Sequence, residues 1–92
     1  MLAKNKQEAI QVAKEKLWSY GYRVADFSDT GITEFDLIIN KKFRVKVGRR
    51  KLEKIPSTCD VYIFVGHVAF FYEKEVNGKL IIKSSPYEVF GK

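Results

Sequence analysis

The sequence predicts an α+β (α/β) domain in which an N-terminal helix is followed by a mixed, mostly antiparallel β-sheet. Three observations predict it: helical spacing of apolar residues near the N-terminus, alternating apolar residues in several later segments, and turn signals between those segments. The chain has 92 residues, of which 46% are hydrophobic and 30% charged. This composition fits one domain over residues 1–92 with its own core, and it excludes a disordered chain.

An amphipathic helix is the first predicted element, over residues 4–20. Its apolar residues recur at every third or fourth position, at Ile10, Ala13, Leu17 and Tyr20. Gly21 follows as the residue that ends the helix. These apolar positions predict that one side of the helix packs on the rest of the domain.

Six strands are predicted after the helix, over residues 22–28, 34–40, 43–48, 61–65, 68–75 and 80–83. The second and third form a hairpin in which apolar faces match when Ile39 pairs with Phe43 and Leu37 with Val45, and Phe35 shares their face. This register places Asp36 opposite Lys46. A basic segment over 49–57 is expected to contain one or two helical turns, and a last helical turn is expected over 86–90.

Basic residues are concentrated in one part of the chain. Residues 41–54 hold eight of the 17 Lys and Arg residues and one of the 11 acidic residues. The formal net charge of the whole chain is +6, so the remainder is close to neutral. A basic stripe in a neutral domain is typical of proteins that bind the phosphate backbone of nucleic acids. A solvated, solubilising face is the alternative interpretation.

Several functional classes are disfavoured by the sequence. The longest mostly apolar run, over residues 61–72, is too short for a membrane-spanning helix, and the N-terminus does not resemble a secretory signal. With Cys59 as the single cysteine, no internal disulfide is possible, so we expect a cytoplasmic location. Cys59 and His67 alone lack the number and spacing of ligands for a zinc site.

A series of motifs occurs in the order helix, turn, strand, loop and hairpin. They are Gly21-Tyr22, Ser28-Asp29-Thr30-Gly31, Glu34-Phe35-Asp36-Leu37-Ile38-Ile39 and Phe43-Arg44-Val45-Lys46-Val47. This arrangement resembles the PD-(D/E)XK restriction-endonuclease-like superfamily, and within it the archaeal Holliday-junction-resolvase-like nucleases. The resemblance implies a restriction-endonuclease-like core, Mg²⁺ or Mn²⁺ as cofactor, and a role in phosphodiester hydrolysis.

The resemblance also implies roles for individual residues. Asp36 matches the metal-binding, catalytic aspartate, Lys46 matches the catalytic lysine, and the carbonyl of Val45 matches a further metal ligand. The chain departs from the family at Arg44, where the family has an acid that binds the metal. Glu34 lies two residues from Asp36 and is the substitute we expect for the missing catalytic and metal-binding acid. An oxygen-coordinated cation beside a lysine supplies the chemistry of metal-dependent phosphodiester hydrolysis.

Two main hypotheses follow from these residues. The first is a metal-dependent DNA endonuclease that acts as a homodimer on duplex or branched DNA. The alternative is a catalytically inactive nucleic-acid-binding protein with the nuclease fold, in which Arg44 turns a cation site into an anion site. In the first hypothesis, the phosphate backbone is predicted to contact Arg44, Arg49, Arg50, Lys51 and Lys54. The family resemblance implies that Ser28 and Thr30 also lie near the DNA.

Weaker alternatives stay open at this point. An RNA-processing domain related to tRNA-splicing endonucleases would use Tyr, His and Lys, but no motif brings such residues together. Asp36 and Lys46 would form an ordinary cross-strand ion pair if the site had no chemical role. A domain that only binds other proteins would show no salt dependence in its contact with nucleic acid.

Overall fold

The computed structural model describes residues 3–91. Its elements are α1 (Lys6–Ser19), β1 (Val24–Asp26), β2 (Leu37–Ile39), β3 (Phe43–Gly48), β4 (Val61–Val65), β5 (Phe70–Val76), β6 (Lys79–Lys83) and α2 (Tyr87–Phe90). The strands form one six-stranded sheet in which spatial order follows chain order. Neighbouring strands are antiparallel except β3 and β4, which are parallel. The predicted α+β class, with an N-terminal helix and a mixed sheet, is confirmed.

Helix α1 has well-defined ends because both are capped. The side chain of Asn5 accepts a hydrogen bond from the backbone N–H of Glu8 at 3.0 Å, which satisfies one of the free donors of the first turn. At the other end, Gly21 has a φ of +88°, a conformation that favours glycine. The helix therefore begins two residues after, and ends one residue before, the predicted bounds.

The main core lies between α1 and one face of the sheet. Ala9, Ala13 and Leu17 of the helix are fully buried. The predicted face is confirmed at Ala13 and Leu17, but Tyr20, which was also predicted on it, is 40% exposed. The buried residues of the helix pack over the inward-facing residues of the central strands, which include Val45 and Ile63. The small alanine side chains allow the helix to lie close to the sheet, so the whole length of α1 is held against β3 and its neighbours.

The opposite face of the sheet is covered by the segment over residues 49–60, which connects β3 to the parallel strand β4. Ile55 and Cys59 of this segment are buried against Tyr62. The Tyr62 hydroxyl donates a hydrogen bond to the carbonyl of Arg50 and so anchors the segment. A Cβ at Gly48 would lie 3.0 Å from two carbons of the Tyr62 ring, so only glycine leaves room for this anchor.

This connecting segment contains turns and bends but no helix, so the prediction of helical turns over 49–57 is wrong. Pro56 lacks the N–H that would continue a helix and disfavours helical geometry in the residue before it. The chain must also run back along the sheet to start β4 beside β3. Both constraints favour an irregular path held by side-chain anchors. The predicted final helical turn is confirmed as α2.

The predicted hairpin register is confirmed, since Leu37 pairs with Val45 and Ile39 with Phe43. Strand β2 is shorter than predicted, because the backbone N–H of Asp36 donates to the carbonyl of Val45 at 2.8 Å and the ladder stops there. The prediction that Phe35 shares a face with Leu37 is therefore wrong. Phe35 packs instead near Tyr62 on the opposite side of the sheet.

Two stacked aromatic residues lie on one face of the sheet. Phe64 and Phe71 stack with ring centroids 6.2 Å apart on the face opposite α1, and both are only partly buried. The predicted homodimer stays a prediction. Between residues 3 and 91, no helix is long and apolar enough to cross a membrane.

Candidate functional site

A cleft of about 400 Å³ lies at one end of the sheet, between the first turns of α1 and the loop over residues 28–33. Its charged side chains are Lys6, Asp29, Asp36 and Lys46. Ser28 also lines it, and its hydroxyl donates to a carboxylate oxygen of Asp26 at 2.6 Å. Three of the predicted site residues, namely Ser28, Asp36 and Lys46, therefore line one cleft.

Asp36 is held in place by two contacts and is only 6% exposed. Its Oδ2 accepts a hydrogen bond from the backbone N–H of Val47 at 2.9 Å, and its Oδ1 lies 3.4 Å from Nζ of Lys6. The cross-strand ion pair with Lys46, which was the alternative to a chemical role, does not form. Nζ of Lys46 donates instead to the carbonyl of Thr33 at 3.0 Å, because the ladder ends before Asp36 would face Lys46.

A groove of about 390 Å³ adjoins the cleft and shares Lys6 and Lys46 with it. Its floor is apolar and its edge is cationic. The apolar residues are Val47, Gly48, Leu52, Pro56 and Tyr62, and the further cationic residues are Arg49, Arg50 and Lys54. In the described part of the chain, none of these last three side chains takes part in an ion pair, so their charge is available to a ligand.

The remaining predicted site residues lie outside both depressions. Thr30 donates its hydroxyl to the carbonyl of Phe27. Glu34 and Lys51 are both exposed and line neither depression. Arg44 pairs with Asp60 at 3.4 Å, because the side chains of the third strand alternate between faces and strand β4 starts beside Arg44.

The residues at the cleft do not fit the divalent cation that the family resemblance implies. Both carboxylate oxygens of Asp36 have partners, and one of those partners is an ammonium group. The carbonyl of Val45 accepts the backbone N–H of Asp36. Nowhere in residues 3–91 do three or more His, Cys, Asp or Glu residues come together as a metal-binding group. The cleft lacks the set of open oxygen ligands that a hard cation requires.

Sequence reasoning missed two charged residues of the cleft, Lys6 and Asp29. A signal for Lys6 was present, because it precedes the buried Ile10 by about one helical turn and so projects from the same side of α1. Asp29 lies in a turn whose path is set by its contacts with the rest of the domain, so the sequence offers no comparable signal for it.

Glu73 is a buried acid on β5, directly opposite Tyr62, and is only 1% exposed. Among the described residues, neither of its carboxylate oxygens has a hydrogen-bond partner. Burial raises the pKa of Glu73 above its ordinary value, and the positive charge of Lys51 partly offsets this effect. Because its pKa is higher in the folded state, ionisation of Glu73 destabilises the fold.

Glu73→Gln is expected to stabilise the fold by about 1 kcal/mol at pH 7, because the substitution removes a buried carboxyl group whose ionisation the folded state disfavours. Stability of the unmodified protein falls as the pH rises from 4.5, the ordinary pKa of this carboxyl, through the higher pKa of the folded state. The gain should therefore shrink as the pH is lowered toward that value, as measured by urea unfolding. Glu75→Gln removes the same charge from an exposed position on β5 and should have little effect. A gain that does not change with pH would contradict the expectation.

Comparisons with known proteins were made for the whole chain. It gave no significant match to a protein-family model, to a curated protein or to a solved structure. The fold and the two adjoining depressions are therefore the basis for assigning a function.

Proposed function

We propose that this protein binds nucleic acid through the phosphate backbone, with the groove and the adjoining cleft as its contact surface. The observation that supports it is the charge of the two depressions, which five cationic and two acidic side chains line. Neutralisation of phosphates by such side chains releases counterions and supplies most of the affinity of non-specific binding. Arg49 and Arg50 add planar guanidinium groups, which suit bidentate contact with phosphate.

The architecture of the groove supports the same proposal. Three of its cationic residues, Arg49, Arg50 and Lys54, are carried by a segment that Tyr62 anchors to the sheet, so they are presented from a fixed base rather than from a free loop. The resemblance to PD-(D/E)XK proteins adds support. The motifs that carry it occur in the order helix, loop and hairpin, and residues from all three line the cleft. In this proposal, the domain has a restriction-endonuclease-like core that retains binding.

A second candidate is metal-dependent cleavage of DNA by the same surface. The observation that favours it is that Asp36 and Lys46, the two matched catalytic residues, line one cleft. Cleavage would require Lys6 to move away from Asp36. The Lys6 side chain is 53% exposed and its contact with Asp36 is 3.4 Å long, so this movement would break a single surface-accessible ion pair.

One experiment tests both candidates. Labelled duplex, single-stranded and four-way-junction DNA, and RNA of the same sequence, are titrated with protein in EDTA at several salt concentrations. We expect the protein to bind in EDTA. The logarithm of the association constant should fall linearly with the logarithm of the salt concentration, with a slope of roughly −3 to −5 if each cationic side chain contacts one phosphate. Salt-independent contact, or no binding, would reject the proposal.

Parallel reactions with Mg²⁺ or Mn²⁺ score cleavage. Cutting that needs metal and is lost in both Asp36→Ala and Lys46→Ala would establish the second candidate. If the protein binds DNA with the same affinity with and without metal and cuts none of the substrates, the result supports nucleic-acid binding without cleavage. Arg44→Ala tests whether the anion site lies at Arg44 or at the groove. Arg44 lies outside both depressions, so its removal should leave the affinity for nucleic acid nearly unchanged.

A further inference from the structure

Lys6 and Lys46 stand where the cleft and the groove meet, since both depressions are lined by these two side chains. Nζ of Lys46 donates to one protein carbonyl, and Nζ of Lys6 contacts one carboxylate oxygen of Asp36. An ammonium group has three N–H donors. Both lysines therefore keep donors for a ligand at the junction.

The contacts of Asp36 are the reverse of those in a metal site. A carboxylate that holds a divalent cation must present an oxygen to it. The Oδ2 of Asp36 is held by the N–H of Val47, and its Oδ1 faces the ammonium of Lys6. The positive charge beside this oxygen therefore comes from the Lys6 side chain, which would repel a metal ion.

We propose that this junction is a metal-free phosphate-binding site, called the phosphate seat below. In it, Lys6 and Lys46 bind one phosphate group, and Asp36 pairs with Lys6 instead of ligating a metal. The ligand is a phosphate mono- or diester, either free or within a nucleic-acid strand, and the second source rests on the proposed function. Arg49 at the adjoining groove adds positive charge and favours an anion over a cation. Lys6, to which the resemblance to nucleases assigns no role, is the residue that defines the seat.

The test uses the full chain labelled with ¹⁵N and titrated with inorganic phosphate in EDTA, with amide signals as the readout. The N–H groups of Asp36 and Val47 both report on the cleft. We expect saturable shifts of these signals in the unmodified protein and in Lys4→Ala, an exposed lysine that lines neither depression. In Lys6→Ala and in Lys46→Ala the phosphate should bind about tenfold more weakly, since each loses a charged donor.

Two results would overturn the phosphate seat in this titration. One is the absence of a saturable shift in the unmodified protein, and the other is unchanged phosphate binding in Lys6→Ala, with circular dichroism confirming that the variant is folded. Mn²⁺ alone supplies a second readout. It should not selectively broaden the Asp36 and Val47 signals of the unmodified protein, and selective broadening would show that Asp36 is a metal ligand after all.

A third titration, with a short single-stranded oligonucleotide, distinguishes the two sources of phosphate. Shifts of the same two amide signals would support a seat for a phosphate of a nucleic-acid strand. Oligonucleotide binding that leaves both signals unmoved would overturn the seat while the proposed function stands. Phosphate binding without any oligonucleotide binding would support the seat for a free phosphate ester and reject the proposed function.

Discussion

Replacing Arg49, Arg50 and Lys54 together by glutamate is expected to lower the affinity for nucleic acid on the order of 100-fold at low salt, because three phosphate contacts become three repulsions. All three side chains line the groove and lie outside every ion pair of the described residues. The slope of the salt dependence should also decrease by about three, one for each lost contact. Fluorescence anisotropy with labelled DNA and RNA measures both quantities.

A matched control separates the groove from the net charge. Replacing Lys41, Lys42 and Lys79 by glutamate lowers the formal charge by the same amount, from +6 to 0. These lysines are exposed and line none of the groove or cleft. We expect a loss of affinity of only a few-fold in the control. Equal losses in the two variants would mean that overall charge, and not the groove, governs binding.

Leu17→Ala is expected to lower the free energy of unfolding by about 2 to 5 kcal/mol, a large share of the stability of a small domain. Leu17 is fully buried between α1 and the sheet, so truncation removes apolar contacts and leaves a cavity. Urea unfolding followed by circular dichroism measures the change. Because α1 also carries Lys6, the same loss would loosen the cleft.

The neighbouring residue on the helix is the control for this substitution. Trp18 is larger than Leu17 but 48% exposed, and Trp18→Ala should cost much less. A loss below about 1 kcal/mol for Leu17→Ala would contradict the packing of α1 on the sheet.

Much of the fold could be predicted because its signals are local. The spacing of Ala13 and Leu17 predicts a buried helix face, and the alternation in the hairpin predicts that Leu37 pairs with Val45. Both are confirmed. The predicted face of Phe35 was wrong, because one backbone hydrogen bond interrupts the alternation of side chains along the strand. Asp36 leaves the ladder by donating to Val45, and Phe35 consequently lies on the other face.

The candidate site was predictable only in part. The concentration of charge over residues 41–54 indicates a basic surface, but the structure divides it between the two ends of β3. The turn at Lys41 and Lys42 lies at one end, and the groove lies at the other, about 20 Å away for a strand of six residues. Only the second group adjoins the cleft, so the stripe is not one continuous surface.

The sequence by itself therefore determined the helix, the pairing of the hairpin and the basic character of the segment after β3, because each depends on residues close together in the chain. Tertiary structure alone decided that Lys6, and not Lys46, faces Asp36. It also decided that Arg44 turns away toward Asp60. The physical reason is that such contacts join distant parts of the chain, and they follow from how α1 and the segment over 49–60 pack on opposite faces of the sheet.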